Sequence, residues 1–234
     1  MNIAIILAGG TGTRLGSEIP KQYIQVNGKP VITYCLEKFV NNPSIDAIQI
    51  VADLSWQEYI RDSISQIGGD KLFKGFSLPG ENRQLSIYHA LQDVSKYASD
   101  TDYVMIHDAA RPLVRKDFIE KCFKAVQGHE GVLPVLAMKD TVYMSEDGHH
   151  ITSLLDRDKL FAGQAPEVFE FGAYYNANKH LLPDKIYLIK GSTEPAIIAG
   201  MDIVLVDGEE DNFKITTRED LNRFMQYIDN QWKR

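Results

Sequence analysis

The sequence predicts an α/β protein built around a doubly wound sheet. Short apolar runs rich in β-branched residues alternate with amphipathic helical patterns along most of the 234 residues. The first apolar run, residues 3–7, leads into a glycine-rich loop at residues 8–16, the position where such folds bind ligands. No internal repeat, low-complexity tract or linker interrupts this order. We therefore expect one domain over residues 1–234.

The spacing of apolar residues defines each element in turn. Pro30 suits a first helical turn, Ser55 is the expected N-cap of the second helix, and Thr217 is the expected cap of the last one. Gly68 follows the second helix as a stop signal. The predicted elements are a strand at 3–7, a helix at 30–40, a strand at 45–52, helices at 56–67 and 81–97, a strand at 103–106, a helix at 116–126, strand within 131–143, a strand at 201–206 and a helix at 217–232.

One segment departs from this alternation. Residues 144–150 form a polar stretch flanked by β-type residues, which predicts a β-hairpin at residues 143–151. The hairpin is either a plain surface feature or an arm that reaches another subunit.

Composition and charge limit the possible functions. Lys and Arg total 25 against 32 Asp and Glu, which gives a net charge of −7. This balance argues against nucleic-acid and anionic-membrane binding, where a basic surface is expected, but it allows a small anionic ligand held by a few local cations. No run approaches the ~18 apolar residues of a membrane span, and the N-terminus lacks the features of a signal peptide. We expect a cytoplasmic protein.

The glycine-rich loop is the strongest functional signal. Closely spaced glycines let backbone N–H groups surround an anion, and two cations, Arg14 and Lys21, stand beside them. A Walker A loop fails because no lysine precedes Ser17, and a dinucleotide fingerprint fails because Leu15 occupies the third glycine position. The pattern favours a triphosphate over a purely structural turn. The candidate nucleotide-binding residues of the loop are Ala8, Gly9, Gly10, Thr11 and Gly12.

A second signal lies at the end of the 103–106 strand. Asp108 emerges where a parallel strand ends, a position suited to holding Mg²⁺ beside phosphates. The alternative is a turn-forming aspartate with Arg111 as its structural ion-pair partner.

Two further clusters are weaker when taken alone. Gly80 would let a flat base approach closely, with Arg83 and Ser86 as hydrogen-bonding groups; the alternative is a capped helix with a solvated arginine. Asp211 and Lys214 lie between the last strand and the last helix, where they could complete a metal and phosphate site. Solvated loop charges are the competing interpretation.

Together these segments resemble the CTP-dependent polyol-phosphate cytidylyltransferases. The family's best-known members act on 2-C-methyl-D-erythritol 4-phosphate or on ribitol 5-phosphate. The resemblance extends from Leu7 to the closing helix and includes residues 107–112, 156–158 and 163–166. It implies a Rossmann-like, glycosyltransferase-A-like nucleotidyltransferase fold, a three-layer sandwich with a protruding hairpin arm.

The resemblance also implies roles for individual residues. The first loop would wrap the triphosphate of CTP, and the hairpin arm would build a homodimer across which the polyol phosphate binds. The implied catalytic residues are Arg14, Lys21 and Lys214; the nucleotide-binding residues outside the loop are Gly80, Arg83, Ser86 and Asp108; the substrate-binding residues are Arg111, Asp140 and Arg157; and the Mg²⁺ ligands are Asp108 and Asp211.

Some residues depart from the family pattern. Ala165 stands where the family has threonine, Pro79 stands where glycine is usual, and residues 192–196 differ from the Thr-Asp-Glu-Ala stretch of the erythritol-phosphate enzymes. The first loop and residues 163–164 are closer to the ribitol-phosphate branch, whereas residues 109–110 are closer to the erythritol branch. The sequence thus favours ribitol 5-phosphate as acceptor.

Other functions are compatible with parts of the pattern. A non-catalytic nucleotide-binding regulatory protein could keep the loop without the reaction, and a sugar-1-phosphate nucleotidyltransferase is the nearest enzymatic alternative. A Rossmann oxidoreductase is disfavoured by Leu15.

Overall fold

A central mixed sheet organises the computed structural model, which describes residues 1–10, 16 and 19–232. The main path through the sheet is β10-β7-β11-β6-β1-β4-β5, and β12 pairs in parallel with β7. The strands are β1 (Asn2–Leu7), β2 (Gln25–Val26), β3 (Lys29–Pro30), β4 (Ala47–Val51), β5 (Phe73–Ser77), β6 (Tyr103–Asp108), β7 (Gly131–Ala137), β8 (Val142–Met144), β9 (Ser153–Leu155), β10 (Phe161–Gly163), β11 (Glu167–Glu170) and β12 (Ile203–Asp207).

Helices cover both faces of the sheet. They are α1 (Val31–Val40), α2 (Leu54–Gln66), α3 (Arg83–Val94), α4 (Lys116–Ala125), α5 (Phe171–Lys179), α6 (Glu194–Ile198) and α7 (Arg218–Trp232). Short 3₁₀ turns occupy Lys21–Tyr23, Arg157–Lys159 and Lys185–Leu188. No helix in the described part of the chain is long and apolar enough to cross a membrane.

The alternation of side chains along β1 explains the three layers. Successive residues of a strand point to opposite faces, so a strand buried on both sides is apolar throughout. Ala4 and Ile6 join the core that packs against α1, α2 and α4, whereas Ile3 and Ile5 join the core that packs against α3 and α5. This arrangement confirms the three-layer α/β fold expected from the sequence.

Most of the helices and strands predicted from the sequence are present, with boundaries shifted by a few residues. Thr217 caps α7 through an Oγ1 that accepts the Asp220 N–H at 3.2 Å. The cap predicted for α2 was wrong: Asp53 is the N-cap and accepts the Ser55 N–H at 3.0 Å. The Ser55 hydroxyl instead donates to the same carboxylate at 2.6 Å.

The sequence analysis did not predict β5, β10 or β11. Strand β11 runs antiparallel between β6 and β7, so the sheet is mixed rather than fully parallel. The hairpin lies close to the predicted range, since β8 and β9 pair antiparallel and the polar segment 145–152 joins them.

Parallel pairing brings the carboxyl ends of three strands to one edge of the sheet. Strand β1 lies between β4 and β6, with Leu7 level with Val51 on one side and with Asp108 on the other. The glycine-rich loop and Asp108 therefore leave the sheet side by side. This edge carries the candidate site.

Candidate active site

A cavity of about 390 Å³ opens at this edge of the sheet. Five segments form its wall: the loop after β1, the end of β4, the start of α3, the end of β6 and the loop before α7. The residues that line it are Leu7, Gly9, Gly10, Lys21, Gln22, Val51, Gly80, Glu81, Asn82, Arg83, Ser86, Asp108, Ala110, Lys214 and Thr216. The cavity thus brings together candidate residues from each cluster identified in the sequence.

A buried glutamine fixes the first part of the glycine-rich loop. Gln22 donates from Nε2 to the carbonyl oxygens of Ala8 and Gly10, both at 2.7 Å, and the Tyr23 hydroxyl donates to the Ala8 carbonyl at 3.0 Å. These bonds direct the carbonyl groups of the loop towards the protein interior. Gln22 directly follows the candidate Lys21, but this anchoring role was not predicted.

Three of the predicted loop residues fall in a part of the chain that the structure does not describe. Thr11, Gly12 and Arg14 lie outside the described residues. Their assignment to nucleotide binding and catalysis remains a prediction from the sequence.

Gly9 is required for close packing rather than for an unusual backbone conformation. A Cβ atom at Gly9 would lie 2.6 Å from Cβ of Pro79, whereas a Cβ at Gly10 would have no neighbour within 4 Å. Proline is rigid, so it cannot move aside as a flexible side chain would. Pro79, which departs from the family pattern, therefore packs directly against the glycine-rich loop.

The start of α3 forms the second wall of the cavity. Asn82 caps the helix by accepting the Leu85 N–H at 2.7 Å, and the Ser86 hydroxyl accepts the Gly80 N–H at 2.9 Å. A Cβ at Gly80 would lie 2.6 Å from Leu85, so a side chain does not fit there. This turn leaves Arg83 facing the cavity.

Asp108 is the electrostatic centre of the site. Its Oδ1 lies 3.4 Å from both Nε and Nη2 of Arg83, and its Oδ2 lies 3.0 Å from Nζ of Lys214 and 3.5 Å from Nε of Arg111. The carboxylate is 7% exposed. These cations come from the start of α3, the turn after β6 and the loop before α7, so the Asp108 carboxylate connects three segments of the chain.

The cations determine the ionisation of Asp108. Burial alone would raise the pKa of its carboxyl group, because the charged form loses hydration. Arg83, Lys214 and Arg111 outweigh this effect and hold that pKa far below its usual range. Burial likewise acts to lower the pKa of Arg83, but the nearby carboxylates, Asp108 first, raise it. Asp108 and Arg83 are therefore both charged near neutral pH.

A second buried acid, Glu167, was not predicted from the sequence. Its carboxylate accepts a short hydrogen bond from the Ser192 hydroxyl, and burial raises its pKa, with Arg83 acting in the opposite direction. The Ser192 carbonyl in turn accepts the Tyr174 hydroxyl at 2.6 Å. Arg83 thus interacts electrostatically with two carboxylates, those of Asp108 and Glu167.

The remaining candidate residues lie outside the cavity lining. Arg111 donates from Nη1 to the Asn212 carbonyl at 2.7 Å, and its Nε lies 3.5 Å from Oδ2 of Asp108. Asp211 is 70% exposed and lies 3.4 Å from Arg223. Arg157 donates to the Lys139 carbonyl at 2.9 Å, next to the exposed Asp140. The structure brings Arg157 and Asp140 near each other but not to the cavity wall.

The donor set suits a metal that binds mainly to its substrate. Among the described residues, no group of three or more His, Cys, Asp or Glu side chains could hold a metal ion. Mg²⁺ commonly binds through one or two carboxylates together with substrate phosphates and water. Asp108, which faces a cavity suited to phosphates, fits that mode of binding.

Comparison with known proteins identifies the family. A family model described as "IspD: 2-C-methyl-D-erythritol 4-phosphate cytidylyltransferase" matches residues 2–230. The chain belongs to the IspD family. Its members are cytidylyltransferases, so the chain is a nucleotidyltransferase.

Relatives within the family carry two different names. A ribitol-5-phosphate cytidylyltransferase from Streptococcus agalactiae is 30% identical over 233 residues, covering 98% of this chain and 96% of that protein. A 2-C-methyl-D-erythritol 4-phosphate cytidylyltransferase from Lachnospira eligens is 35% identical over 225 residues, covering 94% of this chain and 96% of that protein. The family is clear, but the names divide between two acceptors.

Solved structures show the same fold. A 4-diphosphocytidyl-2C-methyl-D-erythritol synthase from Anaerococcus prevotii matches with a TM-score of 0.82 and 24% identity, covering 97% of this chain and 96% of that one. The 2-C-methyl-D-erythritol 4-phosphate cytidylyltransferase from Francisella tularensis matches with a TM-score of 0.79 and 26% identity, covering 98% of this chain and 99% of that one. The Rossmann-like nucleotidyltransferase fold is confirmed.

The packing of the glycine loop can be tested with a matched pair of substitutions. Gly9→Ala should lower the free energy of unfolding by about 1–3 kcal/mol, because the new methyl group overlaps Pro79. Gly10→Ala should change it by no more than about 1 kcal/mol, because that site is open. Urea denaturation measures both, and equal losses in the two variants would contradict the close packing described for Gly9.

The charge cluster predicts that Asp108 stabilises the fold. Asp108→Asn should lower the free energy of unfolding by about 2–4 kcal/mol, because Arg83, Arg111 and Lys214 would face one another without their carboxylate. The partial exposure of Arg83 and Lys214 to solvent limits this loss of stability. Asp117→Asn, which removes an exposed partner of Arg115, is the control and should cost less than about 1 kcal/mol. Thermal or urea unfolding of the purified variants measures the difference, and a loss at Asp108 no larger than at Asp117 would refute the cluster's importance.

Proposed function

We propose that this enzyme transfers the cytidylyl group of CTP to the phosphate of a small polyol phosphate, with ribitol 5-phosphate favoured, and releases pyrophosphate. The observation that carries the proposal is a cavity in which the glycine-loop backbone faces Lys21, Lys214 and the Asp108 cluster. Such a site neutralises a polyanion without requiring a protein nucleophile. Membership of a cytidylyltransferase family supports CTP as the nucleotide.

The proposed reaction is an in-line displacement at phosphorus. An oxygen of the acceptor phosphate forms a bond to the α-phosphorus of CTP, and the bond between that phosphorus and the bridging oxygen of the β-phosphate breaks. The electron pair leaves with pyrophosphate. Because the acceptor phosphate is already anionic, positioning and charge neutralisation supply the catalysis.

Each wall of the cavity has a role in this reaction. The Ala8 N–H already donates to the Val51 carbonyl at 2.8 Å, so Ala8 supports the loop from within the sheet. Backbone N–H groups from Gly9 to Gly12 would donate to the triphosphate, and Arg14, Lys21 and Lys214 would neutralise it. Gly80, Arg83 and Ser86 line the part of the cavity that we assign to the cytosine. A bound triphosphate would compete with Asp108 for its cationic partners.

Magnesium is the metal that we propose for this site. Asp108 would hold it, with Asp211 as a second candidate ligand. A bound Mg²⁺ would withdraw charge from the phosphate oxygens and so stabilise the transition state. The exposure of Asp211 and its pairing with Arg223 make it the weaker of the two candidates.

The acceptor is the least constrained part of the proposal. Arg111, Asp140 and Arg157 are its candidate ligands, and 2-C-methyl-D-erythritol 4-phosphate is the second candidate acceptor because relatives of both names are similarly identical. Ala165 is 3% exposed and lacks the hydroxyl of the family's threonine, so it offers no side-chain donor to an acceptor phosphate.

An assay of pyrophosphate release distinguishes these alternatives. The purified chain is incubated with Mg²⁺, each of the four NTPs, and ribitol 5-phosphate, 2-C-methyl-D-erythritol 4-phosphate or an aldose 1-phosphate. We expect release with CTP, and a higher kcat/KM for ribitol 5-phosphate than for the other acceptors. Nucleotide binding without release under every combination would support the regulatory alternative and overturn the proposal.

Lys21 provides a test of the catalytic mechanism. Lys21→Ala should lower kcat by about 100-fold or more, because a charge aimed at the transferring phosphates is lost, while the fold is retained. Lys124→Ala, at an exposed position on α4, is the control and should leave kcat unchanged. Near-normal turnover in Lys21→Ala would contradict the assigned role.

We also propose that the hairpin of β8 and β9 joins two copies of the chain into a homodimer. The hairpin and its connecting segment expose several large apolar side chains, a composition typical of interaction surfaces. Those side chains are Tyr143, Met144, Ile151 and Leu154. Arg157 follows directly after this hairpin, so a dimer built here would place it beside the partner and support a shared acceptor site.

Leu154 and Leu54 form a matched pair for testing the dimer. They are 66% and 70% exposed, but only Leu154 lies on the hairpin. Leu154→Asp should shift the protein from dimer to monomer at micromolar concentration, because it puts a charge into an apolar contact, whereas Leu54→Asp should not. Analytical ultracentrifugation measures the mass, and an unchanged mass in both variants would overturn the role of the hairpin.

A further inference from the structure

Lys214 belongs to a loop whose backbone is fixed on both sides of this residue. On one side Ile215 is fully buried and its N–H donates to the Ala110 carbonyl at 2.8 Å. On the other side Asn212 is also fully buried. A long, flexible lysine side chain in a surface loop would otherwise sample many positions, so these anchors determine where its ammonium group can reach.

Asn212 connects this loop to the turn between β10 and β11. Its Nδ2 donates to the Ala165 carbonyl at 2.7 Å and to Oε1 of Gln164 at 3.3 Å. Its own carbonyl accepts Nη1 of Arg111 at 2.7 Å. One residue thus contacts both the turn and a cation of the Asp108 cluster.

Gln164 completes the connection from the other direction. Its side-chain amide donates to the Glu209 carbonyl at 2.9 Å and accepts the Glu209 N–H at 3.0 Å, in the manner of a strand pairing with the loop. The Gln164 N–H donates to the Pro134 carbonyl on β7 at 2.8 Å, which ties the pair to the central sheet. A Cβ at Gly208 would lie 3.0 Å from Oε1 of Gln164, so the loop passes very close to this amide.

We propose that Gln164 and Asn212, here termed the amide clasp, are positioning residues that hold Lys214 in its catalytic place. The clasp rests on the proposed function, since it acts through a lysine that contacts the transferring phosphates. Neither clasp residue lines the cavity: among the described lining residues, this loop is represented by Lys214 and Thr216. Its effect on the reaction must therefore pass through the loop.

The geometry explains why a buried clasp is useful at this point. A displacement of about 1 Å in a catalytic group can reduce turnover by about 100-fold, so a loop that carries a catalytic lysine needs firm support. The Gln164 amide supplies a donor and an acceptor to the backbone of Glu209, as a strand would, and the Asn212 amide adds a donor to the Ala165 carbonyl. The turn held by the clasp directly follows β10.

A double-mutant cycle tests the clasp. Asn212→Ala and Gln164→Met should each lower kcat by about 10–100-fold, because Lys214 is then misplaced. The KM for CTP should change by less, since the rest of the cavity is intact. In a Lys214→Met background the same two substitutions should cause almost no further loss, because the group that they position is already absent. Full multiplication of the losses in the double variants, or near-normal kcat in the single ones, would overturn the proposal.

The controls separate this proposal from a general loss of structure and from a failure of the proposed function. Gln127→Met removes a comparable amide-to-carbonyl bond, to Phe123 at the end of α4, and should leave kcat unchanged. Thermal unfolding of each variant identifies those that lose the fold; if Asn212→Ala does, Gln164→Met carries the test alone. If the wild-type chain releases no pyrophosphate with any acceptor, the proposed function fails; an active wild type with additive losses refutes the clasp alone.

Discussion

The site depends on one buried carboxylate at the carboxyl end of β6. Removing a charged carboxylate from water costs several kcal/mol, and the cost is offset only if cations and hydrogen bonds replace the lost hydration. Arg83, Arg111 and Lys214 supply those charges to Asp108 from three separate segments. The same interaction therefore brings α3, the turn after β6 and the loop before α7 around a common cavity.

The rest of the site is arranged to keep this cluster accessible to an anion. The glycine loop packs tightly against Pro79 on one side and is held by Gln22 beneath, so its backbone can form part of the cavity wall. The carboxylates of Asp108 and Glu167 balance part of the positive charge, and Lys21, which also lines the cavity, adds to it. A chain that is acidic as a whole can in this way hold a local site for phosphates.

The features that the sequence predicted correctly depend on local patterns. The apolar run of β1, the glycines after it and an aspartate at the end of a strand are all contained in short segments, and their meeting follows from parallel pairing. The cap of α2 was assigned wrongly because Asp53 and Ser55 are both good capping residues two positions apart, and only the backbone conformation decides between them. Strand β11 was missed because it is four residues long and begins and ends with glutamate.

The features that could not be predicted are long-range contacts between polar residues. Gln164 bonds to Glu209 across 45 positions, and Glu167 bonds to Ser192 across 25. A polar residue in a sequence gives no indication of burial or of its partner, since a solvated loop has the same composition. The anchoring role of Gln22 was missed for the same reason.

A crystal structure of the chain with CTP and Mg²⁺ would test the central claim most directly. We expect triphosphate oxygens within about 3 Å of the loop N–H groups and of Lys214, with the cytosine beside Gly80 and Ser86. A nucleotide bound outside this cavity, with Lys214 still paired to Asp108, would contradict it.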